Sequence, residues 1–210
     1  MTNFSQSKSA YTVRKLLLAL VLIGLAGMVF SWVWTTISQR ETAKTLPDLP
    51  FETLSGQTIT LGETAGTIRL VELMYTRCPD VCPLTTVRMK ELQERLKQDG
   101  SFGKDVQFLT ITFDPKNDTR EALQKYVNQL QLDLNGWHFL RGGEEQTKSL
   151  ITSLGFTVKG IESNLYTHST VTYLVDQKNR VIKTYGMGED FNTDQLSMDI
   201  TSLLKKGNQP

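Results

Sequence analysis

The stretch from Thr67 to Pro83 restricts the fold of this chain more than any other. Thr67 to Met74 (TIRLVELM) is a near-continuous, β-rich apolar run, the pattern of a strand covered on both faces. At its C-terminal end Thr76 to Pro83, Thr-Arg-Cys-Pro-Asp-Val-Cys-Pro, carries the only two cysteines among 210 residues. Pro83 then opens a helix expected to run to Gln98, with an apolar stripe at Leu84, Val87, Leu92 and Leu96, a Glu91 to Arg95 pair, and Gly100 as its stop. A strand, a cysteine pair and a helix therefore follow one another with only Tyr75 between the strand and the cysteine segment.

The rest of the chain repeats the alternation. A hairpin is expected over Phe51 to Leu61, where FETL and TITL flank Ser-Gly-Gln. Further strands are expected at Val106 to Phe113 and Trp137 to Leu140, with helices at Thr119 to about Gln131 and Glu144 to Leu154. Thr170 to Asp176 and Val181 to Tyr185 form a second hairpin around Gln-Lys-Asn, and Thr193 to Lys205 a final helix. Strands alternating with helices of this length indicate βαβ units, to which the hairpins add antiparallel strands. The expected class is α/β, a thioredoxin-like domain with a mixed sheet and flanking helices, because the cysteine pair stands at a strand-to-helix junction. In such sheets reactive groups gather beyond the carboxyl ends of the strands.

Ahead of this domain, Leu16 to Trp34 contains no charge over a length close to the ~20 residues that cross a bilayer as a helix. The run is too long for a signal peptide core and ends in Trp32 and Trp34, which suit a membrane interface. No cysteine near its end offers a lipoprotein anchor. The expected organisation is a cytoplasmic segment at 1–14, a transmembrane helix at 15–34, a linker at 35–48 that ends within Leu-Pro-Asp-Leu-Pro (residues 46–50), and the domain at 49–207. Arg14 and Lys15 predict a cytoplasmic N-terminus and a domain on the outer face of a single-pass protein, where cysteines meet an oxidising compartment. A bacterial plasma membrane is the favoured location and a mitochondrial inner membrane the alternative. The net charge is +1, and beyond Lys15 the chain is slightly acidic with no basic cluster, which argues against a nucleic-acid partner.

Two cysteines four apart can be a staple, a redox pair or part of a metal site. A loop closed over three residues removes little unfolded-state entropy, so a staple explains them poorly. Each cysteine precedes a proline, a position disfavoured in a helix; this places Cys78 in the loop and Cys82 at or next to the N-cap of the helix. Free N–H groups at that helix start, and Arg77, favour thiolate, the form that serves redox chemistry and metal binding alike. His168, in Tyr-Thr-His-Ser directly before the strand from Thr170, shifts the balance toward metal. If that strand neighbours the first one, its imidazole arrives at the cysteine end of the sheet. The other histidine, His138, lies inside a short strand and is explained by packing. Two thiolates and one imidazole form a soft, low-coordinate set suited to Cu(I). A thioredoxin-type oxidoreductase would have Cys-x-x-Cys and a cis-proline opposite, but this pair is one residue wider and no proline lies between Pro115 and Pro210. Tyr75 stands where a peroxiredoxin-type peroxidase has threonine.

Three segments together, Tyr-Thr-Arg-Cys-Pro-Asp-Val-Cys-Pro, Asp-Pro-Lys-Asn-Asp-Thr from Asp114 to Thr119, and Tyr-Thr-His-Ser before Tyr-Leu-Val-Asp, resemble the SCO/SenC family in order and spacing over roughly Leu49 to Leu204. That resemblance implies a membrane-tethered, thioredoxin-like copper protein acting in assembly of the CuA centre of cytochrome c oxidase. It places the metal ligands at Cys78, Cys82 and His168 and the aspartate common between the cysteines at Asp80. Asp114 matches a recurrent aspartate and reads as a turn cap. The implied cargo is copper as Cu(I), with Cu(II) a further state. The implied partners are the oxidase subunit that carries CuA, together with other copper chaperones or thiol reductants. The alternative function is a thiol-disulfide oxidoreductase acting through Cys78 and Cys82 on the cysteines of an oxidase subunit.

Overall fold

The computed structural model describes residues 6–41, 44–161 and 165–207; within 6–41 the side chains are described at 14, 17, 18 and 20–34. It divides into two units, one up to residue 43 and one from Lys44 onward. The first contains helix α1 (Gln6–Glu41), whose described apolar side chains, among them Leu22, Ile23, Phe30 and Trp34, are exposed. Among the described residues no helix is long and apolar enough to cross a membrane. Side chains described without interruption in α1 run only from 20 to 34, so the span expected over 15–34 lies partly outside them, as do residues 1–5 and 42–43 of the flanking segments.

The second unit is built on a seven-stranded mixed sheet in the order β2-β1-β5-β4-β3-β8-β9. Its strands are β1 (Pro50–Thr53), β2 (Thr58–Thr60), β3 (Ile68–Met74), β4 (Val106–Thr112), β5 (Trp137–Arg141), β8 (Val171–Val175) and β9 (Val181–Gly186). A separate two-stranded ribbon pairs β6 (Val158–Gly160) with β7 (Tyr166–His168). The helices are α2 (Val81–Gln98), α3 (Arg120–Leu130), α4 (Glu144–Leu154) and α5 (Thr193–Gly207). β3, β4 and β5 are parallel, as βαβ connections require, whereas β8 runs antiparallel to β3 with Arg69 opposite Val175 and Glu72 opposite Thr172. The hairpin strand therefore does lie next to the first strand of the βαβ series, the condition on which the position of His168 depended.

Every residue of β3 is buried, which explains its near-continuous apolar run. Its two charged residues are buried as well. Arg69 donates to the Asn179 side-chain oxygen at 3.0 Å and to the Asp176 carbonyl at 2.6 Å, clasping the β8–β9 turn at the sheet end away from the cysteines. Thr45 bridges to Arg180 at that same end, and Leu46 is buried there with its N–H on the Asn179 carbonyl, so the last residues of the expected linker pack on the domain.

α2 differs from expectation in three ways. It starts at Val81, two residues early, because proline lacks only an N–H that has no helical partner anywhere in the first turn. Its buried face runs through Cys82, Thr86, Met89, Leu92 and Leu96, leaving Val87 outside, 38% exposed. Glu91 pairs with Arg88 and not with Arg95, which reaches across to Asp194 on α5. The stop at Gly100 stands, with φ at +76°.

One buried carboxylate joins the cysteine loop to the sheet. Asp118 accepts the Thr76 N–H at 3.2 and 3.1 Å on its two oxygens, the Thr76 hydroxyl, and the Thr112 hydroxyl from the end of β4. Asp118→Ala leaves those donors buried without an acceptor and is expected to lower the unfolding free energy by about 2–4 kcal/mol, measured by denaturant titration of the reduced protein; an unchanged midpoint would contradict this role.

Candidate metal centre

Cys78, Cys82 and His168 come together: the two sulfurs and an imidazole nitrogen all lie within 4.8 Å of one another. Three elements supply them. The loop after β3 carries Cys78, the first turn of α2 carries Cys82, and the end of β7 carries His168. Both cysteines are buried and unbridged. His138, on β5, takes no part among the described groups; burial lowers its proton affinity, as packing alone predicts.

The helix start acts on the other cysteine from the one expected. Asp80, the N-cap, is exposed and makes no side-chain cap. Instead the Cys82 N–H donates to the Cys78 sulfur at 3.4 Å, and the Asp80 N–H is hydrogen-bonded to the same atom. The Cys82 thiol donates there too. This last bond, opposed by burial and reinforced by His168 and the two backbone N–H groups, lowers Cys78 to about 4, so it is a thiolate at neutral pH. Cys82 is pushed strongly upward, first because Cys78 holds its proton and then because it is fully buried. Arg77, expected to favour thiolate, pairs with Asp114 at 2.9 Å instead.

His168 is oriented by its surroundings. Its Nδ1 lies 2.8 Å from the Ser169 carbonyl oxygen, which can only accept, so Nδ1 carries hydrogen and Nε2 faces Cys78. The ring stands edge-on to Tyr75 at 5.9 Å, tilted against Phe113 at 5.2 Å, and stacked on Phe156 at 5.9 Å. Burial lowers its proton affinity, but the hydrogen bonds to Cys78 and Ser169 and the charge of Cys78 outweigh that and leave it raised.

Beneath the cysteines lies a buried carboxyl that the sequence reading passed over. Glu72 of β3 accepts from the Thr110 hydroxyl at 3.0 Å through one oxygen and lies opposite Thr172 of β8. Burial first, then the charge of Cys78, raises it to about 8 and keeps it neutral at pH 7. A glutamate among the apolar residues of the strand pattern was the available signal. Tyr75, Phe113 and Phe156, the walls around the imidazole, gave none, since aromatic residues near strand ends are ordinary core.

Two thiol sulfurs and an imidazole nitrogen converging in a half-buried cluster suit a soft cation, and no described carboxylate joins them within that radius. The family model described as SCO1/SenC matches residues 38–205. This chain belongs to the SCO1/SenC family. It is 28% identical over 155 residues to an SCO1 protein homolog of Bacillus subtilis, covering 72% of this chain and 79% of that one. Its fold is similar to that of BsSco, described as a member of the Sco family of cytochrome c oxidase assembly proteins with a disulfide switch; the TM-score is 0.69 at 26% identity, over 78% of this chain and 95% of that one. The fold is shared with a copper-bound ScoI of Arabidopsis thaliana, at a TM-score of 0.67 and 24% identity, over 78% of this chain and 99% of that one.

The asymmetry within this SCO1/SenC cysteine pair is open to direct measurement. Alkylation of the reduced, metal-free protein is expected at Cys78 ahead of Cys82, at a rate nearly independent of pH from 6 to 8 because the thiolate is already formed. Cys82→Ala removes the main cause and is expected to move the midpoint of the Cys78 profile upward. A wild-type rate that climbs tenfold per pH unit through this range would show an ordinary thiol and contradict the assignment.

Proposed function

We propose that this protein is a membrane-tethered copper chaperone that holds Cu(I) through Cys78, Cys82 and His168 and delivers it toward the CuA site of a cytochrome c oxidase subunit. The observation that carries the reading is the convergence of two sulfurs and an Nε2 lone pair from three separate elements. Cu(I) prefers such a soft set, whereas structural zinc takes four ligands. The copper bound to the Arabidopsis relative and the oxidase-assembly description of BsSco point the same way. The uncharged run Leu16 to Trp34 within α1 supports a single span, with the N-terminus cytoplasmic and the domain outside, bacterial or mitochondrial.

Each group has a task in loading. Cys78, already a thiolate, offers the first ligand without losing a proton. Cys82 gives up its thiol proton when cargo is taken, and His168 gives up any proton on Nε2, so uptake releases protons and weakens as the pH falls. Ser169 and the three surrounding rings hold the imidazole in its tautomer and orientation. A Cys78–Cys82 disulfide has no thiolate to offer, so reduction precedes loading.

A second reading, thiol-disulfide exchange with an oxidase subunit, is favoured by the thiolate–thiol asymmetry and by the disulfide switch described for BsSco. Cys78 thiolate attacks a partner disulfide, forming a mixed disulfide and expelling one partner sulfur as thiolate, which takes up the Cys82 proton. Cys82 sulfur then attacks Cys78, closing the internal disulfide and releasing the second partner thiolate. Two electrons pass to the partner. His168 forms and breaks no bond in these steps; it only helps to hold Cys78 as a thiolate.

The test is a strain lacking this protein, complemented by wild type, Cys78→Ser, Cys82→Ser or His168→Ala, with oxidase CuA content measured with and without added copper. The copper-delivery reading expects all three variants to lose CuA at low copper and His168→Ala to recover as copper is raised. Normal CuA in His168→Ala at low copper would overturn copper delivery and leave the reductase reading standing.

A further inference from the structure

The end of the sheet farthest from the cysteines carries unmatched positive charge. Residues 44–210 hold 19 Lys and Arg against 21 Asp and Glu, so this part of the chain is acidic as a whole. At the β8–β9 turn, however, a shallow depression is lined by Gly66, Asp105, Gln177, Lys178, Arg180 and Lys206. Asp176 also lines it, but it is 4% exposed and taken up by Arg180 at 2.6 and 2.8 Å, which leaves Asp105 against Lys178 and Lys206. Lys205 stands next to Lys206 at the end of α5. Lys178, Lys205 and Lys206 are exposed, and among the described residues none of them makes an ion pair.

The exposed charge has the opposite sign at the cysteine end. Asp80 beside the cysteines is exposed and makes no side-chain cap. Glu189 and Asp190 are exposed on the short turn Gly188–Asp190, which is fixed to α2 where the Gly188 N–H donates to the Thr85 hydroxyl at 2.8 Å.

The chain also joins the domain at its basic end. The Lys44 carbonyl accepts the Val181 N–H at 2.7 Å, next to Arg180, and the Lys44 ammonium donates to the Leu154 carbonyl at 2.9 Å. Only residues 35–43 lie between Trp34 and Lys44, a reach of at most roughly 35 Å when extended. An α1 that spans a membrane therefore keeps these lysines close to its surface.

We propose that the end of the domain carrying Lys178, Lys205 and Lys206 is a docking surface for anionic phospholipid headgroups, which turns the metal centre away from the bilayer. The proposal rests on the reading of α1 as a membrane span. Lysines without an ion pair give none up on docking. Each basic residue at an anionic surface strengthens attachment roughly fivefold, and the attraction fades as salt shortens the Debye length to about 3 Å at 1 M.

Full-length protein in nanodiscs of phosphatidylcholine, with or without phosphatidylglycerol, tests it. A water-soluble acylating reagent labels the lysines, and peptide mass spectrometry reads each rate against Lys125 and Lys148, exposed on α3 and α4. Lys178, Lys205 and Lys206 are expected to react at least roughly fivefold more slowly in the phosphatidylglycerol discs at low salt, with the difference gone at 1 M salt. Rates that match in the two kinds of disc at low salt would overturn the docking surface. Slowing shared in full by Lys125 and Lys148 would overturn it too, because it would show adsorption without orientation. Protein that does not enter the discs at all would instead remove the membrane span, and the proposal with it.

Discussion

Four pairs of residues between β8 and β3, from Arg69 opposite Val175 to Glu72 opposite Thr172, decide where the chemistry of this protein can be. β8 runs antiparallel to β3, so its start lies beside the end of β3, and the residues just before it arrive where the cysteine loop begins. His168 and Cys78 are ninety positions apart in the chain, yet this pairing brings the segments that carry them to one end of the sheet. The clasp of Arg69 on Asp176 and Asn179 secures the same two strands at the opposite end.

On that frame the cysteine loop is organised by donors to one sulfur. The N–H groups of Asp80 and Cys82, the Cys82 thiol and the His168 ring all converge on Cys78. The consequence is a division of labour in a pair that looks symmetrical on paper. Cys78 is charged and 8% exposed, and Cys82 is protonated and fully enclosed above the neutral Glu72. The same division suits stepwise ligand binding and stepwise disulfide exchange, which is why the two readings share their cysteines and separate at His168.

The fold could largely be read from local pattern. β3 showed as an apolar run, the hairpin strands as alternation, and helices α3 and α4 within a residue or so of where they lie. What escaped was short or non-local. β6 and β7 are three residues each, below the length at which periodicity speaks, so His168 was expected in a loop and lies at the end of a ribbon. The helix start at Val81 was hidden because a proline in any first-turn position is tolerated, and with it the role of Cys78 as the capped sulfur. Among the candidate ligands, chemistry alone selected Cys78, Cys82 and His168. The groups packed around them, Asp118 on the cysteine loop and the three rings on the imidazole, act across the fold, and no local spacing marks such contacts.

The claim at the centre of this account is that one ion is held by ligands from the cysteine loop, α2 and β7 together. X-ray absorption of the Cu(I)-loaded full-length protein tests it most directly. The account predicts a three-coordinate copper with two sulfur neighbours and one imidazole nitrogen, the nitrogen lost in His168→Ala. A copper bound by sulfur alone, with a spectrum that His168→Ala leaves unchanged, would contradict it.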